Sequence, residues 1–124
     1  MAKPEDVLCK SVKNRLDYWK MQKVVIHYDD TRRLGLKATS FGYISHKTKG
    51  TPDIVAYFKH KNICGILFIE LKTEHDKHRP EQLEFMLKFK DLTNIHYIIL
   101  KEPKEIDIKL ENITHHQQDI LDSI

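Results

Sequence analysis

The chain has 124 residues, of which 40% are hydrophobic and 31% charged, which is ordinary for a single soluble globular domain. No apolar run approaches the roughly 20 residues needed to cross a bilayer, and the first ten residues, MAKPEDVLCK, lack the apolar segment of a secretion signal. Residues 1–100 hold 18 Lys/Arg and 12 Asp/Glu, a balance of +6, whereas residues 101–124 hold 3 and 6, a balance of −3. A basic body favours a polyanionic partner such as nucleic acid, although solubilising surface charge explains the same excess.

The first part of the chain is predicted to form a helix, a strand and a long loop. An apolar stripe at spacings of four, four and three is formed by Leu8, Val12, Leu16 and Trp19. This stripe predicts a helix over residues 4–22, with Pro4 suited to its first turn. The β-branched run VVIHY predicts a strand over 24–28. Residues 29–51 are polar and predict a long loop with a short strand at FGYIS.

Two strands then follow as a hairpin. DIVAYF predicts a strand over 53–58, KHKN a turn over 59–62, and ICGILFIELK a strand over 63–72. The two cysteines, Cys9 and Cys64, form no metal-binding pattern, and we expect both to be buried, reduced thiols. Reduced thiols favour a cytoplasmic location.

The rest of the chain is predicted to add a helix, a strand and a tail. TEHDKHR reads as a loop over 73–79, and Pro80 opens a helix that runs to about Leu92. Three side chains of that helix are expected to face inward: Leu83, Met86 and Leu87. HYIIL predicts an interior strand over 96–100, and the tail is expected to add a short helix near 115–123. The order indicates one domain over 1–124, with its core at about 4–100 and an acidic tail at 101–124. Its fold class is α/β, a small mixed sheet flanked by helices.

The stretch GILFIELK places two charges on an otherwise apolar strand. Because side chains alternate between the faces of a sheet, Leu71 points away from Glu70 and Lys72, which share a face roughly 6–7 Å apart. A strand end that runs out into solvent explains the same pair.

The preceding strand gives these charges a partner. It opens with KGTPD, in which Gly50 permits an unusual backbone angle and Pro52 fixes its own φ, so that Asp53 is held where the strand begins. Hairpin pairing then brings Asp53 opposite Glu70. Two carboxylates that meet at a sheet end repel each other unless a cation lies between them.

A third carboxylate, Glu5, lies on the apolar stripe of the first helix, although a glutamate there also complements the helix dipole. Carboxylates gathered at one point form an oxygen-rich site for Mg²⁺ or Mn²⁺. Such an ion activates water and neutralises charge on a phosphate, and a neighbouring lysine such as Lys72 steadies the attacking group. These residue types together predict metal-assisted hydrolysis of phosphodiester bonds.

The motifs GTPD and ELK, followed by a helix that carries Gln82, resemble the PD-(D/E)XK nuclease superfamily, and within it the small VRR-NUC group. The resemblance covers roughly residues 5–100 and implies a restriction-endonuclease-like αβββαβ core. It implies that Asp53 and Glu70 bind the metal, with Glu5 as a further ligand, direct or through water. The free-standing members that this chain resembles are encoded by viruses and bacteria, and some act as homodimers on branched DNA, including four-way junctions.

The same resemblance assigns the remaining roles. The backbone carbonyl of Leu71 would be a further metal ligand, Lys72 would orient or activate the nucleophilic water, and Gln82 would support the site from the helix. A Gln at a helix start whose amide meets water is the plainer interpretation of Gln82. The loop TEHDKHRPEQ departs from the family pattern, since it lacks the glycine often found there in relatives.

Basic residues near the predicted site suit phosphate contacts, which give affinity with little sequence readout. The candidates for DNA binding are Arg32, Arg33, Lys47, Lys49, Lys77 and Arg79. His75 and His78 flank Asp76 in the same loop and raise the possibility of a transition-metal site, but no further ligand cluster is visible.

The sequence therefore predicts a Mg²⁺- or Mn²⁺-dependent DNA endonuclease, selective for DNA structure and homodimeric, with no membrane partner. Two alternatives stay open: a non-catalytic nucleic-acid-binding module with the same fold, and a phosphoesterase that acts on small molecules.

Overall fold

A computed structural model describes residues 3–32, 36–39, 42–45, 50–60, 62–73 and 80–122. The elements in chain order are α1 (Pro4–Met21), β1 (Val25–Asp30), β2 (Leu36–Thr39), β3 (Gly42–Ser45), β4 (Ile54–His60), β5 (Ile63–Leu71), α2 (Pro80–Leu87), β6 (Ile95–Leu100) and α3 (Lys104–Asp122). The predicted fold class is confirmed: a small mixed sheet is flanked by helices, and α1, β1, β4, β5, α2 and β6 follow in the predicted order.

The main sheet has four strands in the order β1-β4-β5-β6. β1 pairs antiparallel with β4, and β4 pairs antiparallel with β5, so the predicted hairpin is confirmed. β6 returns through α2 and pairs parallel with β5. β2 and β3 form a separate two-stranded antiparallel sheet.

One face of the main sheet carries the hydrophobic core. Leu67, Ile69 and Leu71 of β5 are buried there against α1 and α3, because alternate side chains of a strand point to the same face. A polar contact at the rim also ties the two helices together. The Asp107 carboxylate on α3 accepts hydrogen bonds from Trp19 Nε1 at 2.8 Å and from Arg15 Nε at 3.0 Å.

The opposite face is covered by α2 and the turn after it. Phe68 of β5 points to this face, and its ring centroid lies 5.1 Å from that of Phe85 and 4.9 Å from that of Phe89. The prediction that Leu83 and Leu87 face inward is wrong, since each is 52% exposed. The helix and the turn after it offer two apolar stripes, one with Leu83 and Leu87 and the other with Phe85 and Phe89. The phenylalanines face the sheet because their larger rings bury more apolar surface.

Other boundaries also differ from prediction. Within the loop predicted over 29–51, the short strand predicted at FGYIS is confirmed as β3, and β2 pairs with it as an additional strand. Helix α2 ends at Leu87 instead of Leu92. The short tail helix predicted near 115–123 begins eleven residues earlier, at Lys104, because Ile106 and Leu110 lie one helical turn apart and pack in the core.

The two cysteines differ in their surroundings. Cys9 is fully buried as predicted, and burial together with the neighbouring Asp30 carboxylate raises the pKa of its thiol to about 11. The prediction that Cys64 is buried is wrong: it is an exposed free thiol near the start of β5. None of the helices described here combines the length and apolar character of a membrane span.

Candidate functional site

Buried polar side chains are rare in the described part of the chain, and most of them are predicted site residues. The buried polar or charged residues are Thr31, Asp53, Glu70 and Lys72, which are 4%, 9%, 4% and 6% exposed. A charge withdrawn from water is costly unless nearby groups compensate for it. Burial of the three charged residues, Asp53, Glu70 and Lys72, therefore lowers the stability of the fold unless neighbouring groups compensate for it.

Glu70 and Lys72 meet through the side chain of Gln82. Because β5 alternates, both residues point to the face that carries Phe68 and is covered by α2. Lys72 Nζ donates a hydrogen bond to Gln82 Oε1 at 3.0 Å, and Gln82 Nε2 donates one to Glu70 Oε1. The amide of Gln82 thus links the carboxylate and the ammonium group, and it places the helix residue at the predicted site.

Asp53 is held at the same end of the sheet by backbone groups. The β4–β5 ladder pairs Ile54 with Ile69, so that Asp53 and Glu70 come next in the same register. Asp53 Oδ2 accepts a hydrogen bond from the Leu71 N–H at 2.9 Å. This contact fixes the carboxylate against the strand that carries Glu70 and Lys72.

The end of β1 secures the turn before Asp53. The Thr31 N–H donates a hydrogen bond to the Asp53 carbonyl at 2.8 Å, and the Thr31 hydroxyl donates one to the Pro52 carbonyl. Sequence analysis did not single out Thr31, because no local pattern links the end of one strand to a turn twenty residues later.

Gly50 connects this turn to helix α2. Its φ is +84°, the unusual backbone angle that the sequence predicted. A Cβ built on Gly50 would overlap the Glu81 carbonyl and lie 3.2 Å from the Gln82 nitrogen. Only glycine allows the backbone of the GTPD turn to lie so close to the start of α2, and this close approach places Gln82 beside the strand ends.

Tyr97 is a further residue of the site that sequence analysis missed. It lies on β6 beside Phe68 of β5, and its hydroxyl is buried. Burial and the negative charges of Glu70 and Asp53 raise the pKa of Tyr97. The sequence could not reveal this, since HYIIL reads as an apolar run and its register against β5 depends on tertiary structure.

Glu5 lies in the first turn of α1, and its neighbour Asp6 contacts Arg32, which follows the end of β1. Within the ranges that the structure describes, no group of three or more His, Cys, Asp or Glu side chains is placed to hold a metal ion. The role of Glu5 as a metal ligand thus stays a prediction.

The predicted phosphate-binding residues are mostly beyond what the structure describes. Arg33, Lys47, Lys49, Lys77 and Arg79 lie outside the described residues, as do His75 and His78. Arg32 is described and is engaged by acidic groups: its Nη1 contacts Asp6 Oδ1 at 2.8 Å, and its Nε contacts Asp30 Oδ1 at 3.2 Å. A phosphate would have to compete with both carboxylates for this guanidinium.

The donor set suits a hard divalent cation bound by few protein ligands. Mg²⁺ keeps several waters and is commonly bound through one or two carboxylates together with substrate phosphates. Asp53 and Glu70 supply the carboxylates, and the Leu71 carbonyl comes from the residue between Glu70 and Lys72. A buried ammonium group stands beside them. No family model, curated protein or solved structure matches this chain.

Proposed function

We propose that the protein is a nuclease that hydrolyses phosphodiester bonds in DNA with the help of Mg²⁺ or Mn²⁺. The observation that carries the proposal is the hydrogen-bonded link from Lys72 through Gln82 to Glu70, whose two charged ends are buried on the sheet face where Asp53 also lies. If this cluster served only the fold, apolar residues would be at least as stabilising, because replacing a buried ion pair by apolar groups is often neutral or stabilising.

Asp53 and Glu70 would hold the metal ion, with the Leu71 carbonyl as a third oxygen donor. When bound, the ion supplies Lewis acidity that polarises a phosphate and activates water. Asp53 is preorganised for this task because the Leu71 N–H fixes one of its oxygens. Preorganised groups cost no rearrangement when charge develops during reaction.

Lys72 would act on the reacting phosphate or on the attacking water. Its ammonium group is buried, so its charge is screened less than on a surface. Gln82 orients it by accepting a hydrogen bond from its ammonium group. Thr31 positions Asp53 by holding the backbone of the turn before it, and it touches no reacting atom.

The choice of DNA structure and the oligomeric state are finer proposals that rest on the family resemblance. We propose that the substrate is branched DNA, including four-way junctions, and that the enzyme acts as a homodimer. The excess of basic residues in 1–100 supports a polyanionic substrate.

A non-catalytic nucleic-acid-binding module is the second candidate. It is favoured by the lack, in the described ranges, of a group of three or more potential metal-ligating side chains. In such a module the Gln82 link would serve to dock α2 and nothing more.

Cleavage assays separate the two candidates. Plasmid, linear duplex and four-way-junction DNA are incubated with the protein in Mg²⁺, Mn²⁺ or EDTA. We expect cleavage that EDTA abolishes. Asp53→Asn, Glu70→Gln and Lys72→Met should each lower the rate by about 10²-fold or more, as loss of a preorganised charged group does elsewhere.

The matched controls are Glu84→Gln and Lys88→Met, which remove the same charges from exposed positions in or just after α2. They should leave the rate unchanged, and circular dichroism should show that all five variants fold. Cleavage that survives all three site substitutions would refute the proposal, and DNA binding without any cleavage would favour the second candidate.

A further inference from the structure

A second feature is a cleft of about 240 Å³ beside the start of β6, the edge strand of the main sheet. It lies between the end of α2, the turn that follows, β6 and α3. The side chains that matter for its chemistry are Phe68, Phe89, Lys90, His96, Tyr97 and Lys109. Phe68 lies two residues before Glu70 on β5, and Tyr97 is its partner on β6.

The cleft is electropositive. Lys90 and Lys109 line it, neither forms an ion pair with an acidic group in the described ranges, and no acidic residue is among the lining residues described. Burial and the charge of Lys109 lower the pKa of His96, which also lines the cleft. An anion that entered here would meet two ammonium groups and no opposing carboxylate.

The cleft also has an aromatic wall. The ring centroids of Phe68 and Phe89 are 4.9 Å apart, and those of Phe68 and Tyr97 are 6.3 Å apart. Phe89 lies in the turn after α2, at the side of the cleft that also carries Lys90. Aromatic side chains beside lysines are the usual means by which proteins hold a nucleotide without reading its sequence: the base stacks on a ring and the phosphate meets the charge.

We propose that the cleft between α2, β6 and α3 binds one nucleotide, with its phosphate between Lys90 and Lys109 and its base against Phe89. Nucleotide binding does not depend on the proposed cleavage. The nucleotide is either a free molecule or one unit of a DNA strand. The second case rests on the proposed function, and the nucleotide would then lie beside the scissile bond.

Binding is measured by titrating the full-length, ¹⁵N-labelled protein in EDTA, so that the result is independent of metal and of cleavage. The probes are thymidine monophosphate, thymidine, inorganic phosphate and a short fluorescent oligothymidine strand. We expect the amide signals of Phe89, Lys90, His96 and Lys109 to shift with thymidine monophosphate, and the monophosphate to bind at least about tenfold more tightly than thymidine or phosphate alone.

Two variants test the two halves of the cleft. The double variant Lys90→Gln, Lys109→Gln should weaken thymidine monophosphate binding at least tenfold, and Phe89→Leu should weaken it about fivefold or more, which is the effect of losing a base stack. Lys10→Gln, Lys20→Gln removes two exposed charges from α1, on the other side of the sheet, and should leave the affinity unchanged. If Phe89→Leu does not fold, the lysine variant carries the test alone.

If the lysine variant loses affinity for the oligothymidine strand as well as for thymidine monophosphate, the cleft binds a nucleotide within a strand. If it loses affinity for thymidine monophosphate alone, the cleft binds a free nucleotide. Shifts that map elsewhere, or equal weakening in the α1 control, would overturn the proposal. A protein that binds nucleotide but does not cut DNA would refute the nuclease and leave this inference standing.

Discussion

The two faces of the four-stranded sheet are built from the same strands but meet different demands. On the face covered by α1 and α3, the buried side chains are apolar, and polar contacts such as Arg15–Asp107 lie at the rim. On the face covered by α2, two buried carboxylates and a buried lysine stand beside aromatic rings. α2 itself buries none of its residues fully.

The difference shows how a small domain separates stability from chemistry. Burial of apolar area on the first face supplies the favourable free energy of folding, and this offsets the desolvation of charges on the second. Strand β5 serves both faces, because Leu67, Ile69 and Leu71 point one way while Glu70 points the other. Substitutions on the two faces should therefore differ in whether stability or activity suffers.

The largest loss of stability is expected from Leu67→Ala, on the core face. Leu67 is fully buried, and truncation leaves a cavity, so the free energy of unfolding should fall by about 2–5 kcal/mol in urea denaturation. Ile63→Ala, at the partly exposed start of the same strand, is the control and should cost far less. A loss below about 1 kcal/mol for Leu67→Ala would mean that this face is not the main source of stability.

Gly50→Ala should destabilise by about 1–3 kcal/mol, because alanine is strained at positive φ. Its Cβ would also overlap the Glu81 carbonyl, so we expect α2 to shift and any nuclease activity to fall. Gly50→Asn separates the two causes, since asparagine tolerates positive φ but still carries a Cβ. If Gly50→Asn keeps the stability and activity that Gly50→Ala loses, backbone strain explains the need for glycine, and the contact of a Cβ with α2 does not.

Asp30→Asn should have a smaller effect, which depends on pH. Burial opposes ionisation of Asp30, but the hydrogen bonds and charges of Arg32 and Lys13 outweigh it and hold the pKa of this carboxyl well below its ordinary value of 3.8. The contribution of Asp30 is therefore complete above about pH 4 and is lost as the pH falls below that value.

We expect Asp30→Asn to cost about 1 kcal/mol at pH 7, a modest value because the pair is partly exposed. The gap between wild type and variant should shrink when denaturation is repeated near pH 2. A gap that stays constant with pH would show that the charge of Asp30 contributes nothing to stability.

Tyr97→Phe should change the unfolding free energy least, since it removes one hydroxyl and keeps the ring. On the proposed function it should nevertheless weaken Mn²⁺ binding about tenfold in calorimetric titration without DNA, as loss of a polar group next to the metal ligands commonly does. Tyr57→Phe, on β4 and half-buried, is the matched control and should leave Mn²⁺ affinity unchanged. Equal Mn²⁺ affinities in wild type and Tyr97→Phe would assign Tyr97 to packing alone.

Much of the fold was predictable because its signals are local. The alternation of β5, the turn at KGTPD and the stripe on α1 each predict an element that the structure contains. The start of α3 was not predicted although Ile106, Leu110 and Ile113 repeat at helical spacing, because the acidic composition of residues 101–124 is equally typical of a solvated tail. Leu83 and Leu87 were misplaced because one short helix offers two apolar stripes, and only the tertiary contact with Phe68 selects between them.

The site was predictable to the extent that it lies on one hairpin and the next helix. Register brings Asp53 and Glu70 to one sheet end, and alternation puts Lys72 beside Glu70. Tyr97 and Thr31 enter through a parallel pairing and a strand end, and neither contact leaves a pattern in the sequence. The position of Glu5 relative to the sheet likewise depends on how α1 packs, which a helical stripe does not specify.

The strict alternation of β5 also limits how this chain can change in length. A single-residue insertion or deletion within Ile63–Leu71 would exchange the two faces beyond that point, turning Glu70 towards α1 and α3 and Leu71 towards α2. A two-residue change preserves parity and leaves each side chain on its own face. In this strand, evolutionary changes in length should thus be tolerated only in even steps, even where single substitutions are accepted freely.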